Sequence, residues 1–432
     1  MSEQLLREAL ERIADQAQPV PGLAEQAMRR ATRRRAARLT AIAAAAVVVV
    51  GGSGAAVSVL GFAGAPARPA AQGKPGPLKP IAPGKPVAVE KLWPQAVRTV
   101  PGELPDGRPY SPVDQLDDNR LLVRTESGFE RTDQLLTYDL TTRQVARVTR
   151  VPVPAGSTMF ASDFEVGDGH VAWWNSFRRG GRSIIEIWAA PLSGGDARRI
   201  AALDGKSDVH RLIIGDGKVF WSLEDRNSTS TGVYEAALSG GAARQIPGTT
   251  GFQVLAWPWI GGPGDDWPST GEGKPGETFH RTLRDLRNGR TTQARLAAIQ
   301  GPWDCGITWC LGHKTLPKQW SGGNSPVPET YLQRRDGTGG RAFRDLEGRP
   351  GGSRQGGLLL NDRFLPYTVE ESSKAVSWRL YDTQTGEVGQ VSVQRGKHGG
   401  YSAIGPRRDP VERTLWIPRE NGYMLIDLTK IG

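Results

Sequence analysis

Apolar and polar positions follow three different rhythms along this 432-residue chain, and each predicts a different kind of element. Residues 3–17 place Leu5, Leu6, Ala9, Leu10 and Ile13 on one helical face, with Arg7, Glu8, Glu11 and Arg12 opposite. Pro19 and Pro21 end that helix, and a second helical stretch begins near Leu23. From Leu39 to Ala67 no residue is charged, and Leu39–Phe62 supplies 24 residues of continuous low polarity. At about 1.5 Å per residue such a helix crosses a bilayer core. From Trp93 onward the pattern changes to short alternating runs punctuated by Gly, Asp and Pro, the pattern of strands and tight turns.

Charge sets the direction of the apolar segment. Arg29, Arg30, Arg33, Arg34, Arg35 and Arg38 precede it, while the other flank shows Arg68 and scattered lysines. The positive-inside rule places residues 1–38 in the cytoplasm and the large C-terminal domain outside the plasma membrane. Two other readings are a cleaved signal peptide, with Ala63-Gly64-Ala65 as the cleavage site, and a buried helix of a soluble protein. A 38-residue leader carrying both acids and bases is long for a signal peptide, and six arginines fit a buried helix poorly. The retained single-pass anchor is the expectation. The amphipathic face of residues 3–17 needs a cover, either a cytoplasmic protein or the lipid interface.

Residues 63–87 contain seven prolines and no acid, which predicts an extended, semi-rigid spacer. Beyond it the chain repeats. Residues 167–174 read GDGHVAWW and 215–222 read GDGKVFWS; 186–200 (EIWAAPLSGGDARRI) match 232–246 (GVYEAALSGGAARQI). An apolar strand followed by a turn recurs around Tyr138, Trp188, Tyr234, Arg284, Tyr331, Tyr381 and Ile426, at intervals of 45 to 50 residues. Seven such units over residues 88–432 predict an all-β, seven-bladed β-propeller, with six or eight blades as alternatives. The last unit lacks an outermost strand, so residues near Val87–Leu92 or Val97–Thr99 are expected to supply it.

The GDGxVxW strand, the ALSGG turn and the YDL-type turns resemble those of TolB-like and WD-repeat-like propellers. The full arrangement of cytoplasmic helix, Arg cluster, single span, Pro-rich linker and propeller resembles membrane-anchored actinobacterial proteins of that type. The resemblance implies a binding or regulatory role, including an anti-sigma-factor-like regulator acting through residues 1–38. The HxxxCxxC zinc pattern of one anti-sigma class is absent, because no His or Cys precedes residue 170.

Composition narrows the chemistry. The net charge of +10 belongs partly to the topology cluster and to the acid-free linker, so it does not call for nucleic acid. Two cysteines exclude a Cys-rich metal domain. Cys305 and Cys310 (CGITWC), outside the cytoplasm, are expected to form a local disulfide. The five histidines lie in separate units without a nucleophile or carboxylate at a recognisable spacing, and no P-loop, G-x-S-x-G or HExxH appears. No catalytic residue, metal or cofactor is expected. A propeller hydrolase or lyase with a site dispersed over several blades is the alternative. Two segments exceed the length of blade turns, 257–277 and 313–328. In the first, Trp257, Trp259 and Trp267 beside Asp265 and Asp266 form a candidate contact loop for a protein, peptide or glycan, unless the tryptophans fold back onto the blade.

Overall fold

Among the described residues the chain's computed structural model forms seven sheets whose sequence-adjacent strands pair antiparallel. The structure describes residues 74–432 except 129–130, 155–159, 206, 226–229, 263–276, 315–328, 344–348, 351–358, 373–374 and 395–412. The expected cytoplasmic helix, the arginine cluster and the 39–62 span lie outside the described residues. Among those described, no helix is long and apolar enough to cross a membrane.

Sheet 1 is built from Ser111–Gln115, Arg120–Gly128, Arg131–Asp139 and Val145–Arg150. Sheet 2 comprises Phe160–Gly167, His170–Arg179, Arg182–Pro191 and Arg198–Asp204. Sheet 3 comprises Asp208–Gly215, Lys218–Glu224, Ser230–Ala237 and Arg244–Gln245. Sheet 4 uses Gln253–Ala256, Trp259–Gly262, Thr282–Asp285 and Thr291–Gln293. The own strands of sheet 5 are Trp303–Cys305, Trp309–His313, Thr330–Arg334 and Arg341–Phe343. Sheet 6 uses Arg349–Pro350, Phe364–Ser372, Ala375–Asp382 and Val388–Gln394, and sheet 7 pairs Thr414–Arg419 with Gly422–Asp427. First strands of neighbouring sheets touch, as in sheets 2, 3 and 4, so the sheets radiate from a common axis as a β-propeller.

Each seam between sheets is an apolar cluster of its own. Trp221, Ile187 and Leu212 fill the seam of sheets 2 and 3; Phe164, Trp173 and Leu135 fill that of sheets 1 and 2. Alternation along each strand points one set of side chains into each neighbouring seam, which is why both faces of a sheet are apolar. The repeat marks fall at equivalent places. Tyr138, Trp188, Tyr234, Arg284, Tyr331 and Tyr381 all lie in the third strand of their sheet, and Ile426 lies in the strand beside the outermost one of sheet 7.

Two turn chemistries repeat with the sheets. Asp168-Gly169 and Asp216-Gly217 have φ of 48° and 69°, and of 48° and 70°, the left-handed pair required by a two-residue hairpin. The first glycine of each GDG sets the spacing between sheets: a Cβ on Gly167 would lie 2.8 Å from Ile214, and one on Gly215 would lie 2.4 Å from Trp257. At or just past the end of the third strand of sheets 1, 4, 5 and 6, and of Gly422–Asp427 in sheet 7, Asp139, Asp285, Asp336, Asp382 and Asp427 each accept the N–H two residues on, at 2.8–3.0 Å.

Sheet 7 receives its outer strand from the N-terminal side. Val97–Pro101 pairs antiparallel with Gly422–Asp427, so the second of the two expected segments supplies the missing strand. Val87–Ala88 instead adds in parallel to Val388–Gln394 of sheet 6, and Lys79–Ile81 adds in parallel to Arg341–Phe343 of sheet 5. Of the segment 63–87 expected as a spacer, residues 63–73 lie outside the described residues, and 79–81 and 87–88 lie on the sheets as added strands. Leu78 and Ile81 are half-buried there, and Pro80 tolerates an edge because its missing N–H faces no partner strand.

Arg363 fastens the C-terminus across the seam of sheets 6 and 7. Its Nε and Nη2 donate to the two oxygens of buried Asp382 at 2.8 and 2.6 Å, and Nη1 donates to Ile431 O at 2.7 Å. Burial pushes the Asp382 carboxyl up, but the hydrogen bonds from Arg363, Gln384 and Thr385 outweigh it and hold the group below its usual range. Arg363→Ala leaves that carboxylate buried without its cation and is expected to cost about 3–5 kcal/mol of stability, read by urea unfolding. An unchanged midpoint would contradict this role.

Candidate functional site

The sequence-derived candidates separate in the structure. Trp257 does not project from a loop: it stacks on Phe220 of sheet 3 with centroids 4.5 Å apart, in a cluster with Ile213, Val254 and Ile260. Trp259 opens the second strand of sheet 4, half-buried and paired with Asp285. Trp257 therefore takes the fold-back alternative, because the apolar seam beside it is a better environment for an indole than water. Asp265, Asp266 and Trp267 lie outside the described residues. Cys305 and Cys310 face each other across the first hairpin of sheet 5 and form the expected disulfide, with Cα atoms 4.0 Å apart.

The structure brings together polar residues that showed no linear motif. His210 of sheet 3 lies 3.4 Å from Glu224 of the next strand. Glu224 accepts a 2.6 Å hydrogen bond from Gln253 Nε2 of sheet 4. The oxygen of Gln253 faces His280 Nε2 at 2.9 Å, and His280 Nδ1 lies 3.1 Å from Asp304 of sheet 5. Gln253, His280 and Asp304 are all buried. Side chains of the protein thus face both ring nitrogens of buried His280, which leaves neither nitrogen open to a substrate. Among the described residues no group of three or more His, Cys, Asp or Glu is placed to hold a metal.

The chain of polar groups continues into sheet 5. Desolvation pulls the His313 ring down to about 4, against the opposing charge of Asp304. Arg335 is likewise lowered to about 10 by burial, again against Asp304, and donates to Gly306 O at 2.9 Å and to Arg281 O at 2.8 Å. Thr278–Phe279 lies in parallel on Trp303–Cys305, which pins the end of the first long insertion to sheet 5. This network ties sheets 3, 4 and 5 together where the seam of sheets 4 and 5 has few large apolar residues. Its chemistry is that of a structural bridge between sheets.

A solvent-reaching site lies elsewhere. A cavity of about 880 Å³ opens beside the hairpins that join first and second strands, among sheets 1, 2 and 7. Asp114, Gln115 and Arg120 of sheet 1, Glu165 of sheet 2, and Arg413 with Trp416 beside or in sheet 7 line it. Arg120 is engaged by Asp117 at 2.6 Å, which holds its guanidinium at the rim. Carboxylates, guanidinium groups and an indole from three sheets make a lining suited to a polar ligand that carries both donors and acceptors. Periodicity alone missed it, because the residues come from distant repeats; the signal available was that polar residues interrupt otherwise apolar first strands.

No family model matches the chain, and no curated protein matches it. Solved structures resemble it at the level of architecture. An oligogalacturonate lyase from Vibrio parahaemolyticus shares 10% identity over 67% of this chain and 78% of its own, with a TM-score of 0.39. The β-propeller domain of the Trilobed protease from Pyrococcus furiosus shares 11% over 74% of this chain and 92% of its own, at 0.39. The WD40 domain of SCAP from fission yeast shares 9% over 74% and 85%, at 0.36. Likenesses this distant carry no conclusion about chemistry.

The network predicts two outcomes. His280→Leu removes the partner of buried Asp304 and is expected to destabilise the fold by about 2–5 kcal/mol in urea unfolding, without altering the Cys305–Cys310 bond. For His313 the folded ring resists protonation while the unfolded one titrates near 6.5, so the unfolded state binds the extra proton between those values. Stability therefore falls as pH drops from about 6.5 toward 4. His313→Gln should remove that part of the slope, measured as unfolding midpoints at pH 7 and 5 in both proteins.

Proposed function

We propose that this chain is a single-pass membrane protein of the TolB-like type, with residues 1–38 in the cytoplasm and a seven-bladed propeller that acts outside it as a binding module. The observation that carries the binding role is the mixed-charge cavity among sheets 1, 2 and 7, where Glu165, Arg413 and Trp416 converge from distant parts of the chain. Opposed charges beside an aromatic wall suit a peptide or glycan, whose own donors and acceptors would be matched across the opening. Seven sheets with an apolar cluster at each seam support the blade count, and the disulfide supports an oxidising compartment. The six arginines before an uncharged 24-residue stretch support the orientation.

Two measurements test this reading. Peptide and glycan arrays probed with the purified chain should give ligands whose binding weakens at least about tenfold in a Glu165→Ala/Arg413→Ala variant, the loss expected of one or two charged contacts. Binding that ignores both substitutions would place the function elsewhere. Alkylation of the protein in intact cells, followed by mass spectrometry, should find Cys305 and Cys310 blocked as a disulfide. Free thiols would overturn the extracytoplasmic location.

A further inference from the structure

The Pro-rich segment carries a repeat of its own, eight residues long and in phase with the sheets. Pro75-Gly76 recurs as Pro83-Gly84. Gly76 sits against the turn between the third and fourth strands of sheet 5, donating to Gly337 O at 2.9 Å; a Cβ there would lie 3.3 Å from that oxygen. Gly84 sits against the corresponding turn of sheet 6, where a Cβ would lie 3.2 Å from Gly386 O. Three residues after each glycine the chain becomes an added parallel strand: Lys79 aligns with Arg341 and Val87 aligns with Gly389. Five residues after each glycine comes an apolar plug. Ile81 packs into the seam of sheets 5 and 6, and Val89 is buried in the seam of sheets 6 and 7.

The receiving edges are shaped for this. A Cβ on Gly340 would lie 2.9 Å from Pro77 O, and one on Gly389 would lie 2.9 Å from the Val89 side chain. Among the fourth strands, Val388–Gln394 of sheet 6 carries a glycine, whereas Val145–Arg150, Arg198–Asp204, Arg244–Gln245 and Thr291–Gln293 of sheets 1 to 4 do not. An extended octapeptide advances about 26 Å, a step that carries one module from the edge of a sheet to the edge of the next. Prolines lower the entropy lost on docking, because the segment is extended before it binds.

We infer that the outer edges of sheets 5 and 6 form a two-site docking surface for an extended Pro-Gly strand, and that residues 74–89 are its resident ligand. Recognition is by strand addition, with backbone bonds giving affinity and the two glycines and two plugs setting the register. The surface therefore accepts a peptide of the same octad chemistry from another chain whenever the resident segment is displaced. This inference is independent of the cavity and of the membrane reading.

The test uses the full chain and a synthetic peptide of residues 74–89. Gly76→Val/Gly84→Val crowds both turn contacts and should undock the segment. Amide exchange at residues 341–343 and 389–390 should then accelerate at least tenfold, with the first strands of sheets 1 to 4 unchanged. The variant should bind the labelled peptide at least tenfold more tightly than the natural chain, whose site is filled. A peptide with both glycines replaced by valine should not bind. Lys79→Pro deletes only the 3.0 Å bond to Gly340 O and keeps both plugs, so it reports even if the double variant fails to fold. Its faster exchange should be confined to residues 341–343. Unchanged exchange in Lys79→Pro, or failure of a folded double variant to capture the peptide, would overturn the inference.

Discussion

A propeller depends on the seam where its last sheet meets its first. Here that seam is made by strands from opposite ends of the chain: Val97–Pro101 lies on Gly422–Asp427, and Val100, Trp416 and Leu425 pack against Leu121, Val123 and Tyr138 of sheet 1. Every other seam joins neighbours in sequence and closes at small entropic cost. This one joins residues more than 300 positions apart, so its apolar burial has to offset the largest loop closure in the domain. Once it is made, each sheet has an apolar neighbour on both faces and the alternation of side chains is satisfied all around.

The other long-range fasteners reinforce the same region. Arg363 binds Asp382 and the carbonyl oxygens of Ile431 and Gly432, while residues 79–81 and 87–88 cover the outer edges of sheets 5 and 6. The N-terminal segment thus contributes an outer strand to three consecutive sheets before the first complete sheet begins. On the far side of the ring, the His210–Glu224–Gln253–His280–Asp304 chain links sheets 3, 4 and 5 through hydrogen bonds rather than large side chains. These hydrogen bonds run from one sheet to the next and link the sheets with little large apolar area.

Much of this was legible in the residues. The GDG turns, the Asp that recurs at the end of most third strands, and the roughly 48-residue spacing all reflect local rules: left-handed turn residues, side-chain-to-backbone hydrogen bonds and period-2 burial. The disulfide was legible for the same reason, since the two cysteines are close along the chain. Trp257 was not. Its neighbours Gly and Pro resemble a loop, and only the approach of sheet 3, permitted by Gly215, shows that its ring belongs to a seam. That residues 79–81 and 87–88 add to sheets was not legible either, because proline signals extension, and an extended segment is equally fit to be a spacer or an edge strand.

By itself, then, the sequence determined what depends on near neighbours: strands, turns, the repeat and the supply of an outer strand from the N-terminal side. The tertiary structure alone decided which residues from different repeats meet. His280 with Asp304, Glu165 with Arg413 and Trp416, and Gly84 with the turn of Gly386 are each products of how the sheets are arranged. The physical reason is the same in every case. Local pattern sets which face of a strand is apolar, but the partner across a seam is chosen by the angle and spacing at which whole sheets pack, and no short stretch of chain encodes that.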